Sequence, residues 1–485
     1  MKERNPARLE RPPLDQNHAE EEAPDAVLKG DPVQFVHPSV EHLYGPEEVA
    51  YEADELVVVC LVRDGRPYVK SFVEHYLSLG AKHLFFLDNN STDGTVEALK
   101  EYDNLTVLRT TLPYKEYKYL FKQYLIEHFG KKDRWCLCVD IDELFDYPYS
   151  DVVGLDSLLR YLNERSYTAV VAQMLDMFPE EPLSEAASGD DDSLKERHRF
   201  YDISNIRRTS VEERSPLRNN TYESDGIEAF FGGIRETIFG FTPYLTKHPL
   251  VLIDDRTKPV DGTLHWVDNA RVADVTCVLF HYKFLDEYFH KQVARAVREK
   301  SYFKNSKEYT NYLEVLEKTP NLLVKGESAR ELRDVNDLVE NGFLAVSKEY
   351  MLLIYEEERK KGAGHGALLG EPGSGGPQDE AAFYKAKAHA KIQSLRALRL
   401  QQHLEQLREQ NQRETEQLRE QYQRRIEQLR GQYQKRIEKL GLRLARNKKE
   451  KRVLTNQLQI VRASRSWRLL DKLGRIQAKV LGRKR

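Results

Sequence analysis

The chain has 485 residues, 32% of them charged and 40% hydrophobic, with a formal net charge of −3. From Ala381 to the end, 29 Lys and Arg stand against 9 Asp and Glu, about +20, which leaves the first 380 residues near −23. A length of this order allows two to four domains, and the absence of any run approaching the roughly 20 apolar residues of a spanning helix argues against a membrane-embedded protein.

Residues 1 to about 50 begin "MKERNPARLERPPLDQNHAEEEAPD". They read as a disordered or loosely packed lead-in, with no apolar core of a signal peptide. A continuous apolar run, Leu56 to Val62, predicts a strand buried on both faces. Pro67 suits a first helical turn, and Tyr68, Phe72, His75, Tyr76 and Leu79 recur at helical spacing until Gly80 stops the run. "HLFFLD" is a second strand, "NNSTDG" a turn with Thr92 or Asp93 as helix cap, and "LTVLR" a third strand. "YLFKQYLIEHF" then reads as a helix and "RWCLCVD" as a fourth strand. Strands and helices alternating with short connections predict an α/β fold with a mostly parallel open sheet.

Beyond Pro148 the pattern loosens. "YTAVVAQMLDMF" and "DVTCVLFHYKF" read as strands, and "LDEYFHKQVARAVREKSYF" as an amphipathic helix. Cys60, Cys136, Cys138 and Cys277 lie in apolar runs and read as buried free thiols of a reducing compartment. Residues 51–361 make up the expected body and 362–380 a flexible linker. A coiled coil with an eleven-residue repeat follows at 381–460. There Leu418, Tyr422, Ile426, Leu429, Tyr433, Ile437 and Leu440 step by four, four and three, an apolar stripe suited to a homo-oligomer. The tail 461–485 is basic and amphipathic, suited to an anionic membrane surface or a partner helix, and carries no nucleic-acid motif. A cytoplasmic protein, or one peripheral on the inner face of the membrane, is the expectation.

The segment "WCLCVDIDELFDYP" ends a strand in Asp140, Asp142 and Glu143. Crowded carboxylates at a buried strand end need a cation. Hard oxygen ligands select Mg2+ or Mn2+, which can bridge to phosphate oxygens. Ligands of open α/β sheets bind beyond the carboxyl ends of the strands, where Asp88 also falls.

Together, "LDNNSTDGT" and "DID" resemble the glycosyltransferase A-type (GT-A) fold, in particular the family 2-like glycosyltransferases, over roughly Glu55 to Phe303. The resemblance implies a Rossmann-like domain that binds a nucleotide-diphospho sugar and transfers the sugar to a glycan, lipid-linked or protein acceptor. It places Asp88 and Asn89 near base and ribose with Arg63 close by, although many members have two acids where this chain has Asp88-Asn89. Asp140 and Asp142 would hold the metal on the diphosphate, with His281 as third ligand. Arg235, in "GGIRET", would lie near a phosphate or the acceptor, and His265 would be a ligand or an acceptor-side base. An inverting transfer needs a base; Glu143, Asp176, Glu236 and His265 are the candidates, and Glu143 could instead support the metal site. Two other readings are a metal-dependent nucleotidyltransferase and a non-catalytic coiled-coil scaffold with a ligand-binding body.

Overall fold

The structure, a computed structural model, describes residues 32–185, 193–211, 219–224, 226–259, 264–300, 303–361 and 377–482. Its main sheet is built from β1 (Val40–Tyr44), β2 (Leu56–Val62), β3 (His83–Asp88), β4 (Leu105–Thr110), β5 (Trp135–Asp140), β6 (Glu143–Asp146), β7 (Ala169–Asp176), β8 (Thr246–Leu252) and β9 (Cys277–His281). Short strands at Thr221–Tyr222 and Arg271–Val272 complete it. The order runs β1-β4-β3-β2-β5-β8-β7, and β9 pairs with both β7 and β6.

Strands β4, β3, β2 and β5 are parallel neighbours. β8 runs antiparallel to both β5 and β7, and β9 runs parallel to β7. The carboxyl ends of β2, β3, β5, β7 and β9 therefore share one edge of the sheet. So does the start of β8, because that strand points the other way. The mostly parallel open α/β sheet expected from the sequence is the one the chain adopts.

The sheet is buried on both faces. Val58, Cys60, Val62, Leu84, Phe86, Leu137 and Val139 point into one core. Their neighbours Val57, Val59, Leu61, Phe85, Leu87, Cys136 and Cys138 point into the other. This is the two-residue alternation of a strand with apolar cover on each side. The four cysteines are buried and free, with Cys136 and Cys138 on the same face.

Helix α1 (Arg66–Leu79) starts with proline in its first turn and ends at Gly80, whose φ of 103° is left-handed and costs glycine little. Helix α2 (Thr95–Leu99) follows β3, and α3 (Tyr114–Phe129) follows β4. Leu120, Phe121, Tyr124, Leu125, Ile126 and Phe129 of α3 fill the second core, with the Phe129 ring stacked 3.9 Å from that of Phe85. Further helices are α4 (Leu155–Glu164), α5 (Ile234–Phe239), α6 (Asp286–Glu299), α7 (Phe303–Lys318), α8 (Lys348–Lys360), α9 (Pro377–Ala463) and α10 (Arg465–Leu481).

Three boundaries differ from the sequence reading. Within the expected lead-in, residues 1–31 lie outside the described residues, but Val40–Tyr44 is an ordered edge strand antiparallel to β4. Of the expected linker, residues 362–376 lie outside the described residues and Pro377 already begins α9. The chain divides by its internal contacts into Met1–Leu400 and Gln401–Arg485, so the first turns of α9 belong to the body. Ala388, Ile392 and Leu395 are buried there, and Lys391 lies 2.5 Å from Glu340. In the second unit the stripe residues Leu418, Tyr422, Ile426, Leu429, Tyr433, Ile437 and Leu440 are all exposed. Among the described residues no helix is long and apolar enough to cross a membrane.

Candidate functional site

The shared strand edge gathers charged side chains that the sequence scatters over almost 190 positions. Asp140 ends β5, Asp142 sits in the turn to β6, and Glu143 opens β6. Asp176 ends β7 and His281 ends β9, where the register sets His281 opposite both Asp176 and Glu143. Lys247 is the second residue of β8. Just after it, around Pro249, the pairing with β7 shifts register. Proline supplies no ladder N–H, so a bulge is its natural place in a strand.

These groups form two chains of alternating charge. In the first, Lys122 of α3 puts its ammonium 2.5 Å from Asp140 Oδ1, and Lys247 reaches Asp140 Oδ2 at 3.1 Å and Glu143 Oε1 at 2.6 Å. The Asp140 N–H donates to Glu143 Oε2 at 3.2 Å. Two lysines against two carboxylates make this group neutral by itself. Burial raises the Asp140 pKa, but Lys122 and Lys247 outweigh burial and hold the carboxyl far below its usual range. Burial lowers the Lys122 pKa, and Asp140 more than offsets it, so the net direction is up.

In the second chain, Asp142 Oδ2 lies 3.3 Å from His281 Nε2, and His281 Nδ1 lies 2.5 Å from Asp176 Oδ1. Arg235 Nε donates to Asp176 Oδ2 at 2.9 Å, and its Nη1 lies 3.5 Å from Glu308. Lys283 stands 3.7 Å from Glu308, which also accepts the Tyr312 hydroxyl. Among the described residues, Asp142, Asp176 and Glu308 face only Arg235 and Lys283 as fixed cations, so the group lacks one positive charge unless His281 carries it. Burial pulls the His281 pKa down, Asp142 and Asp176 outweigh it, and the net direction is up. For Asp142 burial acts upward and His281 prevails, so the net direction is down.

Of the residues expected to hold a divalent cation, the second chain brings together two, Asp142 and His281. With a cation supplying that charge, His281 would be neutral, its Nδ1–H given to Asp176 and its Nε2 free to hold the metal beside Asp142, the carboxylate–histidine arrangement that orients a metal ligand. Asp140, expected as a ligand beside Asp142, has both oxygens on lysines. Among the described residues no group of three or more His, Cys, Asp or Glu is arranged to hold a metal. The remaining positions would fall to water or phosphate oxygens, as hard cations accept.

The other expected site residues are placed differently. Glu143 is 1% exposed and bonded at both oxygens, so it supports Asp140 and Lys247 and presents no face to an acceptor. Arg235 is likewise buried, spent on Asp176 and on the Met174 sulfur at 3.0 Å, where the sequence reading had it facing phosphate or acceptor. It is the second residue of α5, which follows Gly232 and Gly233, with φ of 88° and 73°. A Cβ on Gly232 would lie 2.5 Å from Glu236 Oε2 and 2.8 Å from the Asn205 carbonyl, so that turn requires glycine. Glu236 is tied to Arg207 at 2.9 Å and Thr242 at 2.7 Å. His265 turns Nδ1 to the Thr246 carbonyl at 2.9 Å, next to Lys247, and acts there as a strut for the start of β8.

Asp88 is wholly buried. It accepts the Ser91 N–H at 3.2 Å and Arg109 Nε at 3.0 Å. Asn89 donates to the Thr110 and Leu112 carbonyls at 3.2 and 2.9 Å. Both side chains are engaged in shaping the turn after β3. Arg63, past the end of β2, is a third exposed and lies 3.3 Å from Glu299 of α6. The same helix sends Arg295 to Asp64, which accepts the Thr92 N–H at 2.7 Å and so ties the β2 and β3 turns together.

Lys122, Lys247, Lys283 and Glu308 did not stand out in the sequence. Lys247 carries the one readable signal: a lysine at the head of an apolar strand, "TKHPLVL".

No protein-family model and no curated protein matches the chain. Among solved structures it is similar to S. aureus TarS 1-349, at 11% identity over 71% of this chain and 91% of that one, with a TM-score of 0.25. It is also similar to a nucleotidyl transferase from Methanothermobacter thermautotroptrophicus, at 13% identity over 26% of this chain and 63% of that one, with a TM-score of 0.16. At such scores neither likeness bears on the chemistry.

Proposed function

We propose that this chain is a glycosyltransferase that moves a sugar from a nucleotide-diphospho sugar to a glycan, lipid-linked or protein acceptor. The observation that carries the reading is the meeting of Asp140, Asp142, Asp176, His281, Lys122 and Lys247 at the carboxyl edge of a mostly parallel sheet. That edge is where open α/β sheets take their ligands. Asp142 and His281 would hold Mn2+ or Mg2+, and the bound cation would supply positive charge against a departing diphosphate.

The chain's own residues do the rest. Asp176, locked by Arg235, fixes the ring of His281 and its tautomer. Lys122 and Lys247, engaged with Asp140 and Glu143, are fixed cations that keep the same edge from repelling a phosphate. Glu143 keeps Lys247 in place. Asp140 and Asp142 keep 35% and 26% of their side chains exposed, whereas Glu143 and Asp176 keep only 2% and 4%. An acceptor hydroxyl can therefore reach the first two and not the second two.

A thermal-shift screen of sugar nucleotides and nucleoside triphosphates, with and without Mn2+, tests the reading. We expect one class of sugar nucleotide to raise Tm only with the cation, and its turnover to disappear in Asp142→Asn and His281→Gln. Stabilisation by a nucleoside triphosphate with pyrophosphate release would make the protein a nucleotidyltransferase. No response to any nucleotide, with function lost only on removal of the long helix, would make it a scaffold. Association of copies through the exposed eleven-residue stripe belongs to the same proposal, checked by the sedimentation of the full chain against a Tyr422→Glu, Tyr433→Glu variant.

A further inference from the structure

Helix α10 is a separate element from α9. Ser464 between them has an extended backbone, φ −63° and ψ 147°, and its side chain accepts the Trp467 N–H to cap a new helix. At about 100° per residue, Arg465, Arg468, Lys472, Arg475 and Lys479 fall in one arc of about 80°. Leu469, Leu470, Leu473 and Ile476 fill an adjoining arc of about 120°. Trp467 lies beyond the Leu470 edge of that arc. These five apolar side chains are all exposed. The one acid of the helix, Asp471, is bonded to Arg475 at 2.7 Å, and from Arg465 to Arg485 eight Lys and Arg oppose it.

We infer that α10 binds in the plane of an anionic bilayer surface. Two faces must be satisfied together: a continuous apolar arc, and a cationic arc with almost no compensating acid. A nucleic acid would engage the cations through phosphates and leave Leu469, Leu470, Leu473 and Ile476 in water. A partner helix that covered the apolar arc would meet one sign of charge along its flank, and Asp471 is already spent. An acidic lipid surface takes both, burying the apolar arc below the headgroups while the lysines and arginines lie among the phosphates. Trp467, at the margin of the apolar arc, has the amphipathic ring that favours this interface.

Co-sedimentation of the full chain with vesicles tests this without reference to the transfer activity. We expect binding to phosphatidylcholine vesicles carrying about 30% phosphatidylglycerol, the kind of anionic surface that recruits basic segments. Pure phosphatidylcholine should bind far less, and added salt should weaken the anionic case. Replacing Arg468 and Lys472 by Ser should cut partitioning by roughly thirtyfold at low salt. The Leu473→Ser, Ile476→Ser variant, with its charge intact, should lose binding while far-UV circular dichroism stays unchanged. Trp467 emission should shift to the blue on vesicles, a change absent from Trp467→Phe. A chain that stays in the supernatant with both vesicle types overturns the inference. So does wild-type binding by the Leu473→Ser, Ile476→Ser variant, which would assign the cations to any polyanion. Loss of self-association in that variant, without vesicle binding by the parent, would assign the face to a second copy.

Discussion

The ammonium of Lys247 sits 2.6 Å from Glu143 Oε1, with only 7% and 2% of the two side chains exposed. Each makes the other's burial tolerable. Removing one partner of such a pair leaves an uncompensated buried charge, a loss of about 3–5 kcal/mol, whereas removing both charges is much milder. Lys247→Met should therefore lower stability by about that much. The double variant Lys247→Met, Glu143→Gln should recover a large fraction of the loss. Urea midpoints of the two single variants and the double variant form the required cycle. Additive losses would show that the pair contributes nothing as a pair.

Asp176 touches His281 on one side and Arg235 on the other, and all three are buried. If Asp142 and His281 hold a cation, Asp176 acts through the imidazole and not on the metal. Asp176→Asn should then weaken Mn2+ binding by about 10- to 100-fold, the usual effect of losing the group behind a ligand. Asp142→Asn should reduce it further. Titration of Mn2+ followed by electron paramagnetic resonance measures both. Equal affinity in Asp176→Asn and the parent would reduce Asp176 to a packing role.

Much of this arrangement was legible in the sequence, for identifiable reasons. Leu56–Val62 and "RWCLCVD" read as buried strands because no polar residue interrupts them, and the acids were visible because they follow such a run. The sequence could also name His281, at the end of another apolar run. It could not supply the antiparallel β8. That one reversal brings Lys247 to the strand edge, and the crossover through α3 brings Lys122 there. Some of the positive charge that the crowded carboxylates demanded thus comes from a pair of lysines in distant segments. Arg235 and Asp88 show the opposite limit: their chemistry suits phosphate and nucleotide, but burial had already committed them to Asp176 and Ser91.

Buried histidines contribute a pH dependence, His75 and His248 among them. His75 gives its Nε2 side to the Phe145 carbonyl at 2.7 Å and its Nδ1 side to Lys195 at 2.8 Å, and burial, helped by Lys195, holds its pKa at about 3. Burial likewise lowers His248 to about 4. Both folded values lie below the unfolded value of about 6.5, so the unfolded chain takes up protons first as pH falls. The contribution of these two histidines is full above about 6.5 and declines toward 4, with a limiting slope of about 1.4 kcal/mol per pH unit for each. Urea unfolding at pH 5, 6 and 7 should show this limb, and His75→Gln or His248→Gln should each flatten it. An unchanged slope in both variants would place the acid sensitivity in His83, which burial also lowers to about 4, or in the carboxylates.

The beginning of α9 gives a prediction that separates body from coil. Ala388, Ile392 and Leu395 are buried in the main core, Arg399 donates to the Leu344 carbonyl at 2.5 Å, and Tyr384 packs 5.8 Å from Tyr355 of α8. A chain ending after Gly362 exposes the core under Ile392 and Leu395, each worth about 1.5–3 kcal/mol when fully buried. A chain ending after Leu400 keeps all of these contacts and loses residues whose large apolar side chains, where described, already face solvent. We therefore expect the longer truncate to match the full chain in urea midpoint and to retain whatever ligand the strand edge binds. The shorter one should unfold at distinctly lower urea. Equal midpoints for the two truncates would mean that the first turns of α9 add nothing to the body, and that the eleven-residue coil begins, in energetic terms, as soon as the helix does.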